Sequence, residues 1–162
     1  MSRPLKRRHI AATLLATVSV LSLLSTPTLQ ASAQTTQAQT VTQRKTVNIQ
    51  MKIGEQVMTA TLIDNETTHD FLRLLPLTLM LEDYANTEKI SYLPRKLSTA
   101  GAPAGSTPKT GNITYYAPWG NLALFYKDFS YSSGLIKLGK FDGSVEALRK
   151  AGQVRVTFER VK

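Results

Sequence analysis

Cysteine is absent from this 162-residue sequence, and histidine occurs only twice. Without thiols the chain forms no disulfides, holds no thiolate metal site and carries no lipid-modified N-terminal cysteine. The isolated His69 is expected on a helix surface, since no nucleophile elbow of the G-x-S-x-G type accompanies it. Glu82 and Asp83 alone offer too few oxygen ligands for calcium. We therefore predict no catalytic residues of these classes, no metal and no cofactor.

Long runs of one charge are also absent. The chain has 20 Lys and Arg against 11 Asp and Glu, a net charge of +9, but four of the basic residues lie before residue 9. The others are scattered, at most in pairs such as Arg95-Lys96, so the sequence lacks the basic arm of a nucleic-acid-binding protein. We predict no nucleic-acid partner and a mildly basic, solvated surface, with weak attraction to anionic cell-envelope surfaces as the alternative.

The N-terminus has the three parts of a secretory signal. Arg3, Lys6, Arg7 and Arg8 are followed by an uncharged apolar stretch over 10–24 and by the small residues Ala31-Ser32-Ala33. We predict a signal peptide over 1–33 and a periplasmic or secreted protein. The apolar stretch is short for a membrane span, which takes about 20 residues, so no stable span is expected after cleavage; an uncleaved anchor is the alternative. The Arg7-Arg8 pair leaves Sec and twin-arginine export both open.

The 129 residues left from 162 after removal of the first 33 suffice for one ordinary domain. Residues 34–45 are rich in Gln and Thr and poor in apolar side chains, which predicts a flexible linker. The domain is predicted over residues 46–162, with no internal repeats.

Apolar and polar residues alternate in short segments, which is typical of half-buried strands. Gly54-Glu55 predicts a two-residue turn between the first two strands. Eight strands are expected in all, over residues 47–53, 56–62, 77–81, 90–93, 113–116, 122–126, 135–141 and 154–159. Eight strands suit a closed barrel, because closure removes exposed sheet edges.

Two short helices interrupt the strands. Thr67-x-x-Asp70 resembles a capping box at the start of the first helix, and Pro76 follows its end. Ser144 is expected to cap a second helix through Lys150, with Gly152 ending it in a left-handed conformation. Residues 100–110, rich in Gly, Pro, Ser and Thr, predict a long loop that is mobile or functional.

Two stretches of the chain resemble the cyclophilin fold. Residues 138–148 (LGKFDGSVEAL) are similar to its strand–helix junction, and residues 111–122 (GNITYYAPWGNL) to the central hairpin of small bacterial cyclophilin-like proteins of poorly understood function. The resemblance implies a mainly β fold, a closed eight-stranded cyclophilin-like barrel with two short helices.

The residues that give cyclophilins their chemistry do not appear. In those prolyl isomerases the strand after the first helix carries an Arg, and a Trp and a His precede the seventh strand. Here the corresponding residues 77–82 contain no Arg, and residues 128–134 contain no Trp and no His. The reaction crosses an amide-rotation barrier of roughly 20 kcal/mol. Loss of a preorganised charged donor typically removes about 3 kcal/mol of transition-state stabilisation. We expect weak or no isomerase activity.

Six tyrosines and the single tryptophan lie between residues 84 and 131. They suggest a non-catalytic binding module for a small molecule or a peptide, since Tyr and Trp combine large contact area with a polar tip. The candidate ligand-binding residues are Arg95 and Glu82 as polar anchors and Tyr84, Tyr92, Tyr115 and Trp119 as apolar walls. Adjacent Tyr115 and Tyr116 point to opposite faces, so at most one of them can face a groove.

Three alternatives stay open. Aromatic side chains are common in strands and can simply fill or flank a barrel. Residual prolyl isomerase activity would require Arg95 to take the role of the missing arginine. A structural or partner-docking domain is favoured if no pocket exceeds a few hundred cubic ångströms. The sequence leaves ligand identity and oligomeric state open.

Overall fold

Eight antiparallel strands close into a barrel in the computed structural model, which describes residues 46–161. Around the barrel the strands follow the order β1 (Val47–Ile53), β10 (Val154–Arg160), β3 (Leu77–Tyr84), β4 (Glu88–Tyr92), β7 (Asn121–Phe125), β6 (Asn112–Tyr116), β9 (Leu135–Phe141) and β2 (Gln56–Leu62). The mainly β, eight-stranded cyclophilin-like barrel is confirmed. The expected signal peptide (1–33) and linker (34–45) lie outside the described residues.

The barrel interior is filled by one side of each alternating strand. The largest fully buried apolar side chains include Ile49, Met51, Leu62, Leu81, Ile113, Leu122, Leu124, Leu138 and Phe158. Because side chains alternate across a strand, every second residue faces the outside instead. On β4 and β7 that outer set includes the apolar Ile90, Ala123 and Phe125, which are buried as well.

The first hairpin forms as expected from its sequence. Ile53 lies opposite Gln56, and Gly54 takes a positive φ of 55° as the first residue of the two-residue turn. This φ is accessible to glycine at little steric cost.

Helix α1 (Glu66–Leu72) begins earlier than the capping box predicted. Asn65 is the N-cap, and its Oδ1 accepts a hydrogen bond from the Thr68 amide at 2.7 Å. Thr67 and Asp70 are buried inside the helix, so they do not form its capping box. Phe71 is fully buried and its ring meets that of Phe158 edge to face, which seals one end of the barrel.

The second predicted helix is a single 3₁₀ turn, η1 (Glu146–Arg149). The Ser144 hydroxyl accepts a weak 3.3 Å bond from the Glu146 amide but does not cap a longer helix. Only Leu148 of the turn is buried, and one turn suffices to place it. Gly152 has the expected positive φ, 81°.

Strand β3 extends beyond its expected end, and β4 begins two residues before its expected start. Charged Glu82 and Asp83 do not end β3, which continues to Tyr84. A tight turn follows, in which Ala85 and Asn86 have positive φ values of 50° and 54°. The longer hairpin sets Tyr84 directly opposite Glu88, and both line the site described below.

The long loop is largely irregular, as expected. Within it Gly105–Ser106 forms a two-residue strand, β5, that pairs with β8 (Ser132–Ser133) outside the barrel. No helix in the part of the chain that the structure describes has the length and apolar character needed to span a bilayer.

Candidate functional site

An elongated cavity of about 210 Å³ lies against the outer face of the barrel, over β3, β4, β7, β6 and β9. We call it the outer groove. Its lining consists of Tyr84, Ala85, Thr87, Glu88, Ile90, Tyr116, Trp119, Asn121, Ala123, Phe125, Phe129, Ser132 and Leu135.

Strand register fixes the two ends of the outer groove. Glu88 on β4 pairs with Phe125 on β7, whereas Asn121 lies four residues from Phe125 on the same strand. At about 3.3 Å per residue, the backbones of the two ends are roughly 13 Å apart. The groove therefore follows the β4–β7 seam, with a carboxyl group at one end and a carboxamide at the other.

The floor of the groove is a second apolar cluster, separate from the barrel interior. Ile90, Ala123, Phe125 and Leu135 are all at least 95% buried, and Tyr116 packs against them. These residues come from the outer sides of three strands. The barrel wall at this point is thus apolar on both faces, as a strand buried on both sides would be.

Three aromatic rings wall the groove. The ring of Trp119 meets Tyr84 and Tyr116 edge to face, with centroids 5.5 Å apart in both pairs. Tyr84 belongs to the Glu88 end, and Tyr116 pairs with Asn121 at the other end. Trp119, 45% exposed, therefore joins the two ends, and such ring pairs each stabilise the arrangement by about 1 kcal/mol.

Glu88 is a half-buried carboxyl group with no partner. Its Oε2 is shielded from solvent and receives no hydrogen bond. Desolvation raises the pKa of Glu88 to about 7. The neighbouring Lys89 does not neutralise it, because its side chain points into the barrel and binds Asp83 there.

Asn121 supplies a second unpaired acceptor. Its side chain is only 2% exposed, and its amide nitrogen donates to the Leu122 carbonyl at 3.2 Å. Its Oδ1 is buried and receives no hydrogen bond. A buried acceptor without a donor costs about 1–3 kcal/mol. Glu88 and Asn121 hold the two buried side-chain polar atoms without a partner among the described residues, and both line the groove.

The structure brings two of the six expected site residues, Tyr84 and Trp119, to the groove. Tyr115 is 1% exposed inside the barrel, where its hydroxyl accepts a bond from the Leu97 amide at 3.0 Å. Adjacent Tyr116 faces the groove in its place. Glu82 and Tyr92 are exposed on β3 and β4 and are not among the lining residues.

Arg95 lies away from the groove and is paired. Its two terminal nitrogens each donate to an Asp70 carboxylate oxygen at 2.7 Å. The Arg95 guanidinium, together with a hydrogen bond from the Ser98 amide, holds the pKa of Asp70 well below its usual range. This bidentate pair fastens the loop after β4 to α1.

A second charged cluster lies at the η1 end of the barrel. Lys89 is fully buried, and its ammonium donates three 2.7 Å bonds, to Asp83 Oδ2 and to the carbonyls of Lys150 and Gly152. All three donors of the ammonium are used. Tyr126 donates to the other Asp83 oxygen at 2.9 Å, and burial with this contact raises the pKa of Tyr126 to about 12. The cluster is satisfied internally and positions the strand ends.

His69 is a surface helix residue that contacts Asp64, with Nε2 and Oδ1 2.6 Å apart. Its side chain is 43% exposed. Across residues 46–161, no group of three or more His, Asp or Glu side chains is arranged to hold a metal.

Sequence reasoning missed Glu88, Asn121, Phe125 and Phe129 as groove residues. The period-2 pattern contained a signal for Glu88, since it alternates in phase with Ile90 and Tyr92 on the outer face of β4. Asn121 lies just before the strand expected over 122–126, although it is the first residue of β7. Nothing local indicated that Phe129 would fold back over the sheet.

Comparisons with known proteins agree with this architecture. A family profile described as the Cyclophilin-like family matches residues 51–159. A hypothetical protein from Archaeoglobus fulgidus, solved in solution, superimposes with a TM-score of 0.57 at 14% identity, covering 75% of this chain and 99% of that one. At this identity the likeness shows the fold alone. No curated protein matches the chain.

Proposed function

The chain belongs to the cyclophilin-like family, and we propose that it is a non-catalytic binding module whose outer groove holds a small molecule or a peptide side chain. The observation that carries the proposal is the pairing of an apolar, aromatic-walled groove with two unpartnered buried acceptors, Glu88 and Asn121. Pockets that combine apolar walls with a few directed polar groups are the usual form of ligand sites.

The size of the groove limits what it holds. Sites that enclose a whole drug-sized ligand measure roughly 300–1,000 Å³, and the outer groove measures about 210 Å³. It fits one side chain or a small head group. A partner-docking domain is favoured when no pocket exceeds a few hundred cubic ångströms, and the volume of this groove is compatible with that alternative. In that case the groove would receive a single side chain of the partner.

The arrangement supports binding over prolyl isomerisation. Residual isomerase activity would require a guanidinium at the groove, but Arg95 is held by Asp70 and is not a lining residue. No Arg, Lys or His occurs among the residues that line the groove. We keep isomerisation as the second candidate, to be tested directly with a prolyl-peptide assay beside a true cyclophilin.

We further propose that this binding takes place outside the cytoplasm, in the periplasm or after secretion. The support is the order of basic, apolar and small residues over positions 1–33. Comparison of the N-terminal residue of the protein in the cell with Gln34 would test cleavage, and an intact Met1 in the mature protein would contradict it.

The binding proposal is tested by titrating the protein with a six-carbon series, hexanol, hexylamine and hexanoate, by calorimetry. We expect saturable binding of at least one probe and a loss of about tenfold in affinity in Trp119→Ala, because the variant removes the wall that joins both ends. Met80→Ala removes an exposed apolar side chain on β3 outside the groove and serves as the matched control. Binding that is unchanged in Trp119→Ala, or absent for all three probes, would contradict the proposal.

A further inference from the structure

We infer that the outer groove is built for a ligand with a cationic nitrogen, an alkylammonium or guanidinium group, that donates to Glu88 while the apolar part of the ligand lies over Ile90 and Ala123. The inference rests on the proposed function, because it names the ligand class of the same groove. The shared chemistry has two sources, a free organic amine and the Lys or Arg side chain of a peptide.

The hydrogen-bonding character of the groove selects a donor. Glu88 Oε2 and Asn121 Oδ1 are both acceptors, both are shielded from solvent, and neither has a partner. A ligand that brings N–H groups satisfies an acceptor that otherwise stays unpaired. A ligand with only acceptors would leave both of these oxygens unpaired.

The charge balance selects a cation. The lining contains one ionisable carboxyl, Glu88, and no basic side chain. Lys89, its sequence neighbour, is committed to Asp83 and two carbonyls on the inner face of the barrel. An anionic ligand would therefore meet uncompensated negative charge, and a neutral apolar one would shield Glu88 further without pairing it.

The aromatic walls fit the same ligand. Tyr84 pairs with Glu88 across β3 and β4, and Trp119 packs against Tyr84. A cation near a carboxylate and beside Trp and Tyr gains from both the charge-assisted hydrogen bonds and the π systems. The apolar floor beyond Glu88, formed by Ile90 and Ala123, suits the methylene chain of an amine or of a lysine side chain.

Asn121 offers a hydrogen-bond acceptor to the end of the ligand that lies away from Glu88. Its Oδ1 lies at the end opposite Glu88, about 13 Å along the seam as judged from the backbone. A lysyl or arginyl peptide offers a backbone N–H on the far side of its methylene chain, which suits this acceptor. A simple monoamine offers nothing there, so the peptide source is expected to bind more tightly.

The test compares hexylamine, hexanol and hexanoate by calorimetry at a pH about one unit above the pKa of Glu88, where the carboxyl is ionised. We expect hexylamine to bind about tenfold more tightly than hexanol, and hexanoate to bind least. In Glu88→Gln the advantage of the amine over the alcohol should disappear. Glu55→Gln removes an exposed carboxylate in the β1–β2 turn, on the side of the barrel opposite β4 and β7, and should keep the advantage.

A second arm separates the two sources. A blocked lysine tripeptide is compared with its Nε-acetylated form, which has the same backbone but no charge. Tighter binding of the lysine peptide than of its acetylated form supports a cation site, and equal binding of the two peptides would overturn it. Given that preference, a lysine peptide that binds more tightly than hexylamine assigns the site to peptides, and the reverse order assigns it to free amines.

Failure of the inference is distinct from failure of the proposed function. If hexanol and hexylamine bind equally and Glu88→Gln changes neither, the groove binds ligands but the cation inference is overturned. If no probe of either series binds, both the inference and the proposed function are overturned.

Discussion

The partnerless carboxyl of Glu88 predicts that removing its charge stabilises the protein at alkaline pH. Burial raises the pKa of Glu88 from its ordinary 4.5 to about 7. Between these values the unfolded chain loses a proton that the folded chain keeps, so the contribution of Glu88 to stability falls as pH rises through this window. Below the window the neutral carboxyl carries no such penalty, and above it the penalty is complete.

The magnitude follows from the width of the window. Each pH unit between the two pKa values corresponds to about 1.4 kcal/mol, which gives about 3 kcal/mol for a fully shielded group. Glu88 is only half-buried and solvent screens part of its charge, so we expect roughly 1–2 kcal/mol. Glu88→Gln keeps the shape of the side chain and removes the ionisation.

Chemical denaturation at about pH 4.5 and about pH 8.5 measures this effect. The free energy of unfolding of Glu88→Gln should exceed that of the wild type by roughly 1–2 kcal/mol more at the higher pH than at the lower pH. Glu55→Gln, which removes an exposed carboxylate, should follow the wild type at both pH values. Parallel pH profiles of the wild type and Glu88→Gln would refute the description of Glu88 as a desolvated, unpaired group.

Two further predictions concern the barrel itself. Lys89→Met should lower the free energy of unfolding by about 3 kcal/mol, because it leaves a carboxylate oxygen and two carbonyls without their donor. Lys52→Met breaks an exposed ion pair and should lower it by less than about 1 kcal/mol. Equal effects of the two variants in denaturant unfolding would contradict the description of the Lys89 cluster as buried and satisfied. Gly139→Ala should destabilise the protein by about 3 kcal/mol, because the added Cβ would lie 2.7 Å from the Leu62 Cα across the β2–β9 seam. The Cβ of Gly143→Ala meets no atom within 4 Å, so this control should be nearly neutral in thermal unfolding. A wild-type-like melting temperature for Gly139→Ala would contradict the close approach of the two strands.

The barrel was predictable because its signals are local and repeated. Period-2 alternation marked the strands over 47–53, 56–62, 77–81 and 154–159, and Gly54 marked the first turn. The wrong strand boundaries occur where contacts between residues distant in the sequence determine how far a strand extends. The β3–β4 hairpin extends past Glu82 and Asp83 because Asp83 finds Lys89 inside the barrel, a pairing that local propensity does not show.

The candidate site was less predictable than the fold. Aromatic clustering led to Tyr84 and Trp119, which line the groove, but it also suggested Tyr115, whose face depends on strand register. A shift of one residue exchanges the inner and outer faces of a strand. The pairing of Arg95 was not visible in the sequence, because its partner, Asp70, lies 25 residues away and meets it only in the folded chain. Arg95 was therefore predicted to be free to anchor a ligand.

Amide chemical-shift mapping by NMR during a hexylamine titration shows where on the protein the ligand binds. We expect saturable shifts concentrated at Glu88, Ile90, Trp119 and Asn121 in the outer groove, with little change around the Asp70–Arg95 pair. Shifts absent from the groove, or centred on Asp70 and Arg95, would contradict the proposal that the outer groove is the binding site.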